Sequence, residues 1–317
     1  MLKQKGFYRG INLGGWLSQC DYSEEHLHSF ITESDFEKIA SWGMDHVRVP
    51  VDYNILQNDD GTAKEDGFAI LENARVLAQR YGMNLLIDLH KTAGFSFDTY
   101  GENEHGFFSS AACQERFCRL WEEIARRFGA YSKTVAFELL NEVTDKAFLP
   151  AWNQIVRTCI GRIRLIAPDT LILVGSYENN SARTVPALDA PFDANVIYNM
   201  HCYEPLEFTH QGAYWTEVID PERRIAFADS GALPDYFEAL FAPAIRKAQE
   251  NGTVLYCGEY GVIDRVSPED TLAWYRAIHE VFERHGIARC AWTYKAMDFG
   301  LTHPHLDPVR EELISLL

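Results

Sequence analysis

Two glutamates, Glu142 and Glu259, have the residue type and the local setting of a catalytic carboxylate pair. They lie in the segments ELLNE (138–142) and LYCGEYGV (255–262), each at or near the end of a short apolar run. One carboxylic acid can protonate a leaving oxygen while an opposed carboxylate attacks carbon or activates water, which is the chemistry of glycoside hydrolysis. A single glutamate in such a place more often forms a salt bridge or caps a helix. The hypothesis therefore depends on both carboxylates facing each other.

Polar and aromatic side chains in comparable places could support this pair. Arg48 is permanently charged and could keep Glu259 ionised, and Tyr203 could donate a hydrogen bond to the same carboxylate. Asn141 could bond a sugar hydroxyl beside the reacting carbon, and Trp292 could offer a flat apolar face to a sugar ring. Taken singly, each of these residue types is more often structural, so the roles depend on the whole set. The remaining candidates for substrate binding or support are Asn12, Trp16, His90, His201 and Lys295.

Eight short apolar segments alternate with predicted amphipathic helices along the chain. Strands that are apolar on both faces are typical of parallel sheets buried between helices. Eight such units in 317 residues predict a (β/α)8 TIM barrel, in which residues that do chemistry lie at the carboxyl ends of the strands. A doubly wound open sheet is the alternative, but the glycines near the first strand do not fit its GxGxxG fingerprint. The predicted strands cover residues 8–13, 46–50, 85–89, 135–140, 171–174, 196–200, 254–257 and 288–292.

This arrangement carries Glu142 on strand four and Glu259 on strand seven to facing sides of the barrel mouth. Strand five, which ends near residues 175–177, offers no obvious functional group. We expect residues 1–317 to form one catalytic domain, with an insertion after strand six at about 204–250. That connection is longer than one helix needs, and it contains aromatic residues. We expect it either to form part of the substrate cleft or to be a small helical insertion with its own core.

Composition limits the partners. The net charge is −17, which disfavours nucleic acid because phosphate binding draws on clustered lysine and arginine. No segment has the length and apolar character of a membrane span. Seven cysteines without a CxxC pair, and an N-terminus without a signal-peptide apolar run, indicate reduced thiols and a cytoplasmic location for the chain as given. Secretion stays open for a chain trimmed of its signal. We expect a monomer.

No cofactor or catalytic metal is expected. The close histidine pairs, His26 with His28 and His303 with His305, have no convincing carboxylate or cysteine companion at ligand spacing. The sequence also contains no P-loop and no GxSxG segment, which argues against nucleotide hydrolysis and against a serine nucleophile.

The ordered set of motifs resembles the family 5 glycoside hydrolases of clan A. That resemblance implies a TIM barrel, Glu142 as general acid/base and Glu259 as nucleophile. It also implies that Arg48, His90, Asn141, His201, Tyr203 and Trp292 complete the family's pattern. The motifs are GINLGGW (10–16), HVRVP (46–50), DLH (88–90), ELLNE (138–142), HCYEP (201–205), LYCGEYGV (255–262) and AWTYK (291–295).

Within the family, the opening FYRGINLGGWLSQ and the segment LYCGEYGV resemble bacterial cellulase C-type endoglucanases. That implies endo-hydrolysis of β-1,4-glucan or mixed-linkage β-1,3-1,4-glucan. GINLGGW is shared with fungal exo-β-1,3-glucanases, so an exo-β-1,3-glucanase, a β-glucosidase and a β-mannanase remain alternatives. A sugar-binding barrel without turnover is the non-enzymatic alternative. We expect loops 91–108 and 203–253 to decide the specificity.

Overall fold

The computed structural model describes residues 1–98 and 105–317; part of the predicted 91–108 loop therefore lies outside the described residues. Eight parallel strands close into a barrel in chain order, and the first strand completes the circle by pairing with the eighth. The predicted (β/α)8 barrel is confirmed. The strands are β1 (Arg9–Asn12), β2 (His46–Asp52), β3 (Asn84–Lys91), β4 (Val135–Glu138), β5 (Leu171–Val174), β6 (Val196–Cys202), β7 (Leu255–Tyr260) and β8 (Ala288–Ala291).

Helices cover the outside of the barrel and connect successive strands. In the described ranges they are α1 (Leu2–Lys5), α2 (Glu24–Ser29), α3 (Glu33–Ser41), α4 (Tyr53–Leu56), α5 (Glu65–Arg80), α6 (Ala111–Phe128), α7 (Leu149–Arg164), α8 (Tyr177–Asn180), α9 (Leu206–Thr209), α10 (Phe227–Ser230), α11 (Pro234–Glu250), α12 (Pro268–His285) and α13 (Arg310–Leu316). Of these, α8 is a single turn whose residues Glu178 and Asn179 have left-handed backbone angles.

The long helices bury the apolar faces that their sequences predict, and α6 is an example. Ser110 caps α6 by accepting a hydrogen bond from the backbone N–H of Cys113 at 3.3 Å, which satisfies one of the donors left free at a helix start. The buried face of α6 includes Phe117, Trp121 and Ile124, spaced three and four residues apart so that they share one side of the helix. That side packs against the strands.

The strand bounds place the candidate residues more finely than the sequence did. β4 ends at Glu138, two residues before its predicted end, so Asn141 and Glu142 lie in the segment that follows it. β6 and β7 run further than predicted, and their register pairs His201 with Glu259 directly. The extra length follows from this pairing, which continues past an irregularity between Met200 and His201.

Side chains alternate between the inside and the outside of the barrel, as in any strand. A small apolar cluster inside the barrel includes Leu86, Ala136 and Ile197. Two residues further along the same strands stand Asp88, Glu138 and Asn199, all fully buried. The interior therefore changes from apolar to polar toward the carboxyl ends of the strands, where the candidate catalytic residues lie.

The connection between β6 and β7 contains α9, α10 and α11. Of the predicted insertion at 204–250, residues 234–250 are the regular outer helix α11, which contacts β7 and α12. The additional segment is thus residues 203–233, with only two four-residue helices. In the part of the chain that the structure describes, no helix has the length and apolar composition needed to cross a membrane.

Candidate active site

Arg48, on β2, is the centre of a polar network in the barrel interior. Its Nε and Nη2 atoms each donate to a carboxylate oxygen of Glu138 at 2.8 Å. Nη1 donates to Oε1 of Glu259 at 2.7 Å, and Nη2 lies 3.0 Å from Oδ2 of Asp88. The guanidinium is fully buried. A buried charge needs such partners, since its desolvation would otherwise be costly.

Two asparagines hold the same guanidinium from other sides. Asn12 accepts from Arg48 Nη1 at 2.8 Å and donates to the carbonyl of Gly258 at 2.9 Å, so the fully buried Asn12 positions Arg48. Asn141 accepts from Arg48 Nη2 at 2.9 Å. The Nδ2 atom of Asn141 is buried and has no hydrogen-bond partner among the described residues. An unpaired buried donor is unfavourable, and a ligand hydroxyl would satisfy it.

Glu259, on β7, accepts hydrogen bonds at both oxygens. Besides the bond from Arg48 at Oε1, the hydroxyl of Tyr203 donates to Oε2 at 2.8 Å. Burial raises the pKa of Glu259 to about 7, and His201, Arg48 and the Tyr203 hydrogen bond act against this rise. Because both Arg48 and Tyr203 donate to this carboxyl group, its ionised form is the one that the surroundings favour.

Glu142 has a different environment. Its Oε1 lies 2.8 Å from Nδ1 of His201, and its Oε2 accepts from Nδ2 of Asn179 at 3.0 Å. Burial raises the pKa of Glu142 to about 7 and lowers the pKa of His201 to about 4, so His201 is neutral near pH 7. With no arginine bonded to it, Glu142 is the member of the pair better suited to carry a proton.

The two carboxyl groups face each other at short range. One oxygen of Glu142, one oxygen of Glu259 and a ring nitrogen of His201 all lie within 4.8 Å of one another. Among the described residues, these three atoms are also close enough together to be potential ligands of one metal ion. However, the guanidinium of Arg48 already neutralises Glu259 at 2.7 Å, and a second cation beside it would be repelled. The donor set therefore fits acid–base chemistry better than metal binding.

His90 and Trp292 form one wall of the site. Their rings stack with centroids 6.0 Å apart and an interplanar angle of 2°, and the edge of Phe97 packs against His90 at 4.8 Å. Nδ1 of His90 lies 2.6 Å from Oδ2 of Asp88, and burial holds the pKa of His90 well below its usual value. The wall thus offers an uncharged imidazole and an aromatic surface.

Two predicted residues are not brought to the carboxylates in this way. Trp16 is only 2% exposed, and its indole N–H donates to the carbonyl of Leu27 at 2.9 Å. Its ring packs in the hydrophobic core, which favours support of the site over substrate binding among the two roles that the sequence left open. Lys295 forms an ion pair with Asp35 on α3 at 3.0 Å, which occupies its charge away from the pair of glutamates.

Sequence reasoning missed several residues of the network. Glu138 and Asn199 share a hydrogen bond of 2.8 Å below Arg48; a charged or amide side chain in the middle of an apolar strand was the available signal. The sequence offered no obvious functional group after strand five, and the structure adds one candidate there. The turn that follows β5 provides Asn179, because its left-handed backbone directs this side chain to Glu142.

Aromatic residues extend from the nucleophile candidate toward solvent. The ring of Tyr203 contacts those of His210 and Phe299, with centroids 5.1 and 5.7 Å apart. Trp215 is 46% exposed, and its ring centroid lies 6.4 Å from that of His210 and 6.5 Å from that of Phe299. Exposed aromatic faces next to buried carboxylates suit contact with the apolar faces of sugar rings.

Comparison with known proteins agrees with this geometry. The family model Cellulase (glycosyl hydrolase family 5) matches residues 7–298. Cellodextrinase A of Ruminococcus flavefaciens is 56% identical over 318 residues, which cover 100% of this chain and 94% of that protein. Endoglucanase C of Acetivibrio thermocellus is 32% identical over 343 aligned residues, which cover 98% of each chain.

Solved structures show the same architecture. The cellulose synthase subunit Z of Clostridioides difficile superposes with a TM-score of 0.84 at 25% identity, covering 98% of this chain and 99% of that one. A hyperthermophilic endo-β-1,4-glucanase in complex with substrate also gives a TM-score of 0.84, at 21% identity, over 98% of this chain and 97% of the other. At that identity the second likeness concerns the fold alone.

Proposed function

Because the chain belongs to glycosyl hydrolase family 5, the cellulase family, we propose that it is a retaining endo-β-glucanase acting on β-1,4-glucan or mixed-linkage β-1,3-1,4-glucan. Family membership makes it a glycoside hydrolase of the cellulase type. The finer assignments are the retaining mechanism, the linkage and the roles of individual residues. These rest on the site described above.

In the first step, Glu259 attacks the anomeric carbon while Glu142 protonates the glycosidic oxygen. The bond between carbon and leaving oxygen breaks, its electron pair stays with that oxygen, and a glycosyl ester forms on Glu259. In the second step, ionised Glu142 removes a proton from water, whose oxygen displaces Glu259 from the carbon. Arg48 and Tyr203 stabilise Glu259 as an anion before attack and again as it leaves.

The short distance between the carboxyl groups is the observation that carries this proposal. An oxygen of each lies within 4.8 Å of the other. Retaining glycosidases hold the pair roughly 5–5.5 Å apart, whereas inverting enzymes leave roughly 6.5–9.5 Å for a water molecule. The separation in this protein falls below the inverting range and near the retaining one, which supports direct attack by Glu259.

The stereochemistry of the product tests the mechanism. Proton NMR of a cellotetraose digest should show the β-anomer of the new reducing end before mutarotation. Initial formation of the α-anomer would exclude the retaining mechanism. In Glu259→Ala, added azide should restore cleavage of an activated aryl β-cellobioside and yield the α-glycosyl azide, because azide then attacks in place of the carboxylate. A Glu259→Ala variant as active as the parent would show that another group is the nucleophile.

Short oligosaccharides are a second substrate candidate within the same chemistry. The relative that shares 56% identity is named a cellodextrinase, while the relative at 32% is named an endoglucanase. Parallel assays on cellohexaose, lichenan, laminarin, carboxymethylcellulose and mannan test the two candidates. Internal cleavage of lichenan or carboxymethylcellulose, read by a rapid fall in viscosity, supports the endo-glucanase. A strong preference for cellohexaose would support a cellodextrin hydrolase. Preferred cleavage of laminarin or mannan would contradict the β-1,4-glucan assignment.

The segment 203–233 belongs to this proposal as part of the substrate cleft in a single catalytic domain. Tyr203 contacts the nucleophile, and Trp215 continues the aromatic surface from it. Trp215→Ala should therefore raise KM for cellotetraose more than for a short aryl glucoside. The protein should act as a monomer, since one chain supplies both carboxylates. Light scattering coupled to gel filtration tests this, and a dimer that loses activity on dissociation would contradict it.

A further inference from the structure

The turn that follows β5 contacts both Glu142 and the histidine beside it. Asn179 donates to Oε2 of Glu142 at 3.0 Å. Nδ2 of the next residue, Asn180, lies 3.4 Å from Nε2 of His201, and Nδ1 of His201 lies 2.8 Å from Oε1 of Glu142. Two consecutive asparagines thus reach both oxygens of one carboxyl group, the first directly and the second through an imidazole ring.

The backbone of this turn is unusual. Glu178, Asn179 and Asn180 have φ angles of 53°, 54° and 56°, which lie in the left-handed region that side chains other than glycine disfavour. Asparagine tolerates this region better than most residues. Glu142 itself has a φ of 42°. Such conformations persist where surrounding contacts fix them, and they collect at functional sites.

Backbone hydrogen bonds join the turn to the segment that carries Glu142. The N–H of Glu178 donates to the carbonyl of Thr144 at 3.1 Å, and the N–H of Asn179 donates to the carbonyl of Val143 at 3.1 Å. The two residues that follow Glu142 are therefore held by the same turn whose side chain bonds its carboxyl group. The turn and the acid/base form one rigid unit.

The chain also makes room for Asn180. A Cβ on Gly175 would lie 2.1 Å from Oδ1 of Asn180, so any larger residue there would displace the amide. The hydroxyl of Thr184 donates to the carbonyl of Tyr177 at 2.8 Å, and Ser181 forms an isolated bridge with His201 on β6. The Thr184 bond holds the turn together, and the Ser181 bridge joins it to β6, with Asn180 fully buried beside the imidazole.

We propose that Asn179 and Asn180 are positioning residues that select which oxygen of Glu142 transfers the proton; this inference rests on the proposed function above. The N–H of Asn180 donates to Nε2 of His201, which leaves the imidazole proton on Nδ1. That proton is donated to Oε1 of Glu142, so the acidic proton of Glu142 lies on Oε2. There the bond from Asn179 occupies one lone pair and directs the proton toward the leaving oxygen.

The proton balance is the same in both steps. Oε2 gives its proton to the leaving oxygen as the glycosidic bond breaks, and it recovers a proton from water as the glycosyl ester is displaced. The charged and titratable groups that act on Glu142 come from five strands and from the segments that follow two of them. They are Arg48 on β2, Asp88 on β3, Asp98 after β3, Glu138 on β4, His201 on β6, Tyr203 directly after β6, and Glu259 on β7.

Leaving-group dependence separates positioning of the acid from a general loss of structure. A dinitrophenyl leaving group needs no protonation, whereas the glycosidic oxygen of cellotetraose does. For Asn179→Ala and the isosteric Asn179→Asp, kcat/KM for cellotetraose should fall about 10- to 100-fold. The value for 2,4-dinitrophenyl β-cellobioside should change less than about 3-fold. Loss of a donor to the carboxylate should also move the basic limb of the cellotetraose profile to higher pH in Asn179→Ala.

Glu178→Gln is the matched control, since Glu178 shares the turn and its side chain is exposed. It should keep the activity and pH profile of the parent. An equal fall for both substrates, or no change in Asn179→Ala, would overturn the inference even though the parent remains a glucanase. A parent that hydrolyses neither substrate would instead refute the proposed function.

The tautomer of His201 can be read in the parent, without an asparagine variant. Nitrogen-15 NMR of the labelled parent should show the proton of His201 on Nδ1, with Glu142→Ala serving to assign the resonance. A proton on Nε2 would contradict the role of Asn180. Because this measurement uses the intact parent, it decides the point even if the asparagine variants do not fold.

Discussion

Arg48 and Glu259 form a buried ion pair in which Nη1 of the guanidinium lies 2.7 Å from Oε1 of the carboxylate. The guanidinium does not depend on Glu259 for its position, because Glu138 binds it through two hydrogen bonds from the opposite edge. Glu259 therefore meets a cation that is already fixed, and little reorganisation is needed when its charge changes during the reaction.

Replacement of Arg48 by lysine should disable the enzyme although the charge is kept. Lysine cannot reproduce the fork that binds Glu138 and Glu259 together. We expect kcat/KM for cellotetraose to fall by about 10²-fold or more, since several charge-assisted hydrogen bonds are lost. Arg126→Lys, at an exposed ion pair with Glu123, is the control and should leave kcat/KM unchanged. Full activity in Arg48→Lys would remove the guanidinium from the mechanism.

Tyr203→Phe removes one donor from Glu259 without emptying the space. A hydrogen bond to a charged group contributes about 1.5–3 kcal/mol, so kcat/KM should fall about 10- to 150-fold. Because the lost donor favoured the carboxylate, the pKa of Glu259 should rise, and the acidic limb of the profile should move to higher pH. The exposed Tyr131→Phe change should do neither. An acidic limb at unchanged pH would show that Tyr203 does not influence this carboxylate.

The pH profile of the parent should be bell-shaped. The proposed glycosylation step requires Glu259 ionised and Glu142 protonated, and burial raises the pKa of Glu142 to about 7. Activity on cellotetraose should therefore decline as the pH rises through about 7. The parent, assayed by kcat/KM on 2,4-dinitrophenyl β-cellobioside, should lack this basic limb, because that leaving group needs no protonation. If the limb persists, another group governs it.

Asp52 makes stability depend on pH. Burial raises its pKa from 3.8 to about 6, so its folded-state pKa lies above the unfolded one. Protonated Asp52 therefore stabilises the folded state below about pH 4. This stabilisation is lost as the pH rises through about 6. The loss amounts to ~3 kcal/mol at neutral pH.

Asp52→Asn stays uncharged, and its amide oxygen can still accept the hydrogen bond that the Tyr22 hydroxyl makes to Asp52. Urea unfolding should give similar stabilities for parent and variant at pH 4 and a more stable variant at pH 7.5. The exposed Asp59→Asn change should show no such crossover. Parallel curves for parent and Asp52→Asn would exclude the effect.

The barrel and its carboxylate pair could be predicted because both follow local patterns. Each strand is a short apolar run, and a parallel barrel brings all carboxyl ends to one face. The inner positions of Asp88 and Glu138 also follow from the alternation along β3 and β4. These features need only the order of residues within a strand.

The contacts that could not be predicted from the sequence depend on backbone geometry and on partners that lie elsewhere in the chain. Asn179 reaches Glu142 only because three successive residues take left-handed angles. Trp16 faces the core because its indole bonds to Leu27, eleven residues further along. Neither the handedness of a turn nor the direction of a ring has a periodic signature in the sequence.

The separation between strands and loops has a consequence for change in this protein. Of the proposed reacting groups, Glu259 lies on β7 and Glu142 lies in the segment after β4 that the β5 turn holds by hydrogen bonds. The segment 203–233, in contrast, reaches the site mainly through the ring stack that begins at Tyr203. A library in which residues 206–233 are randomised should thus yield variants with altered preference among polysaccharides and an unaltered reaction mechanism. Substrate preference and reaction chemistry are therefore carried by separable parts of this fold.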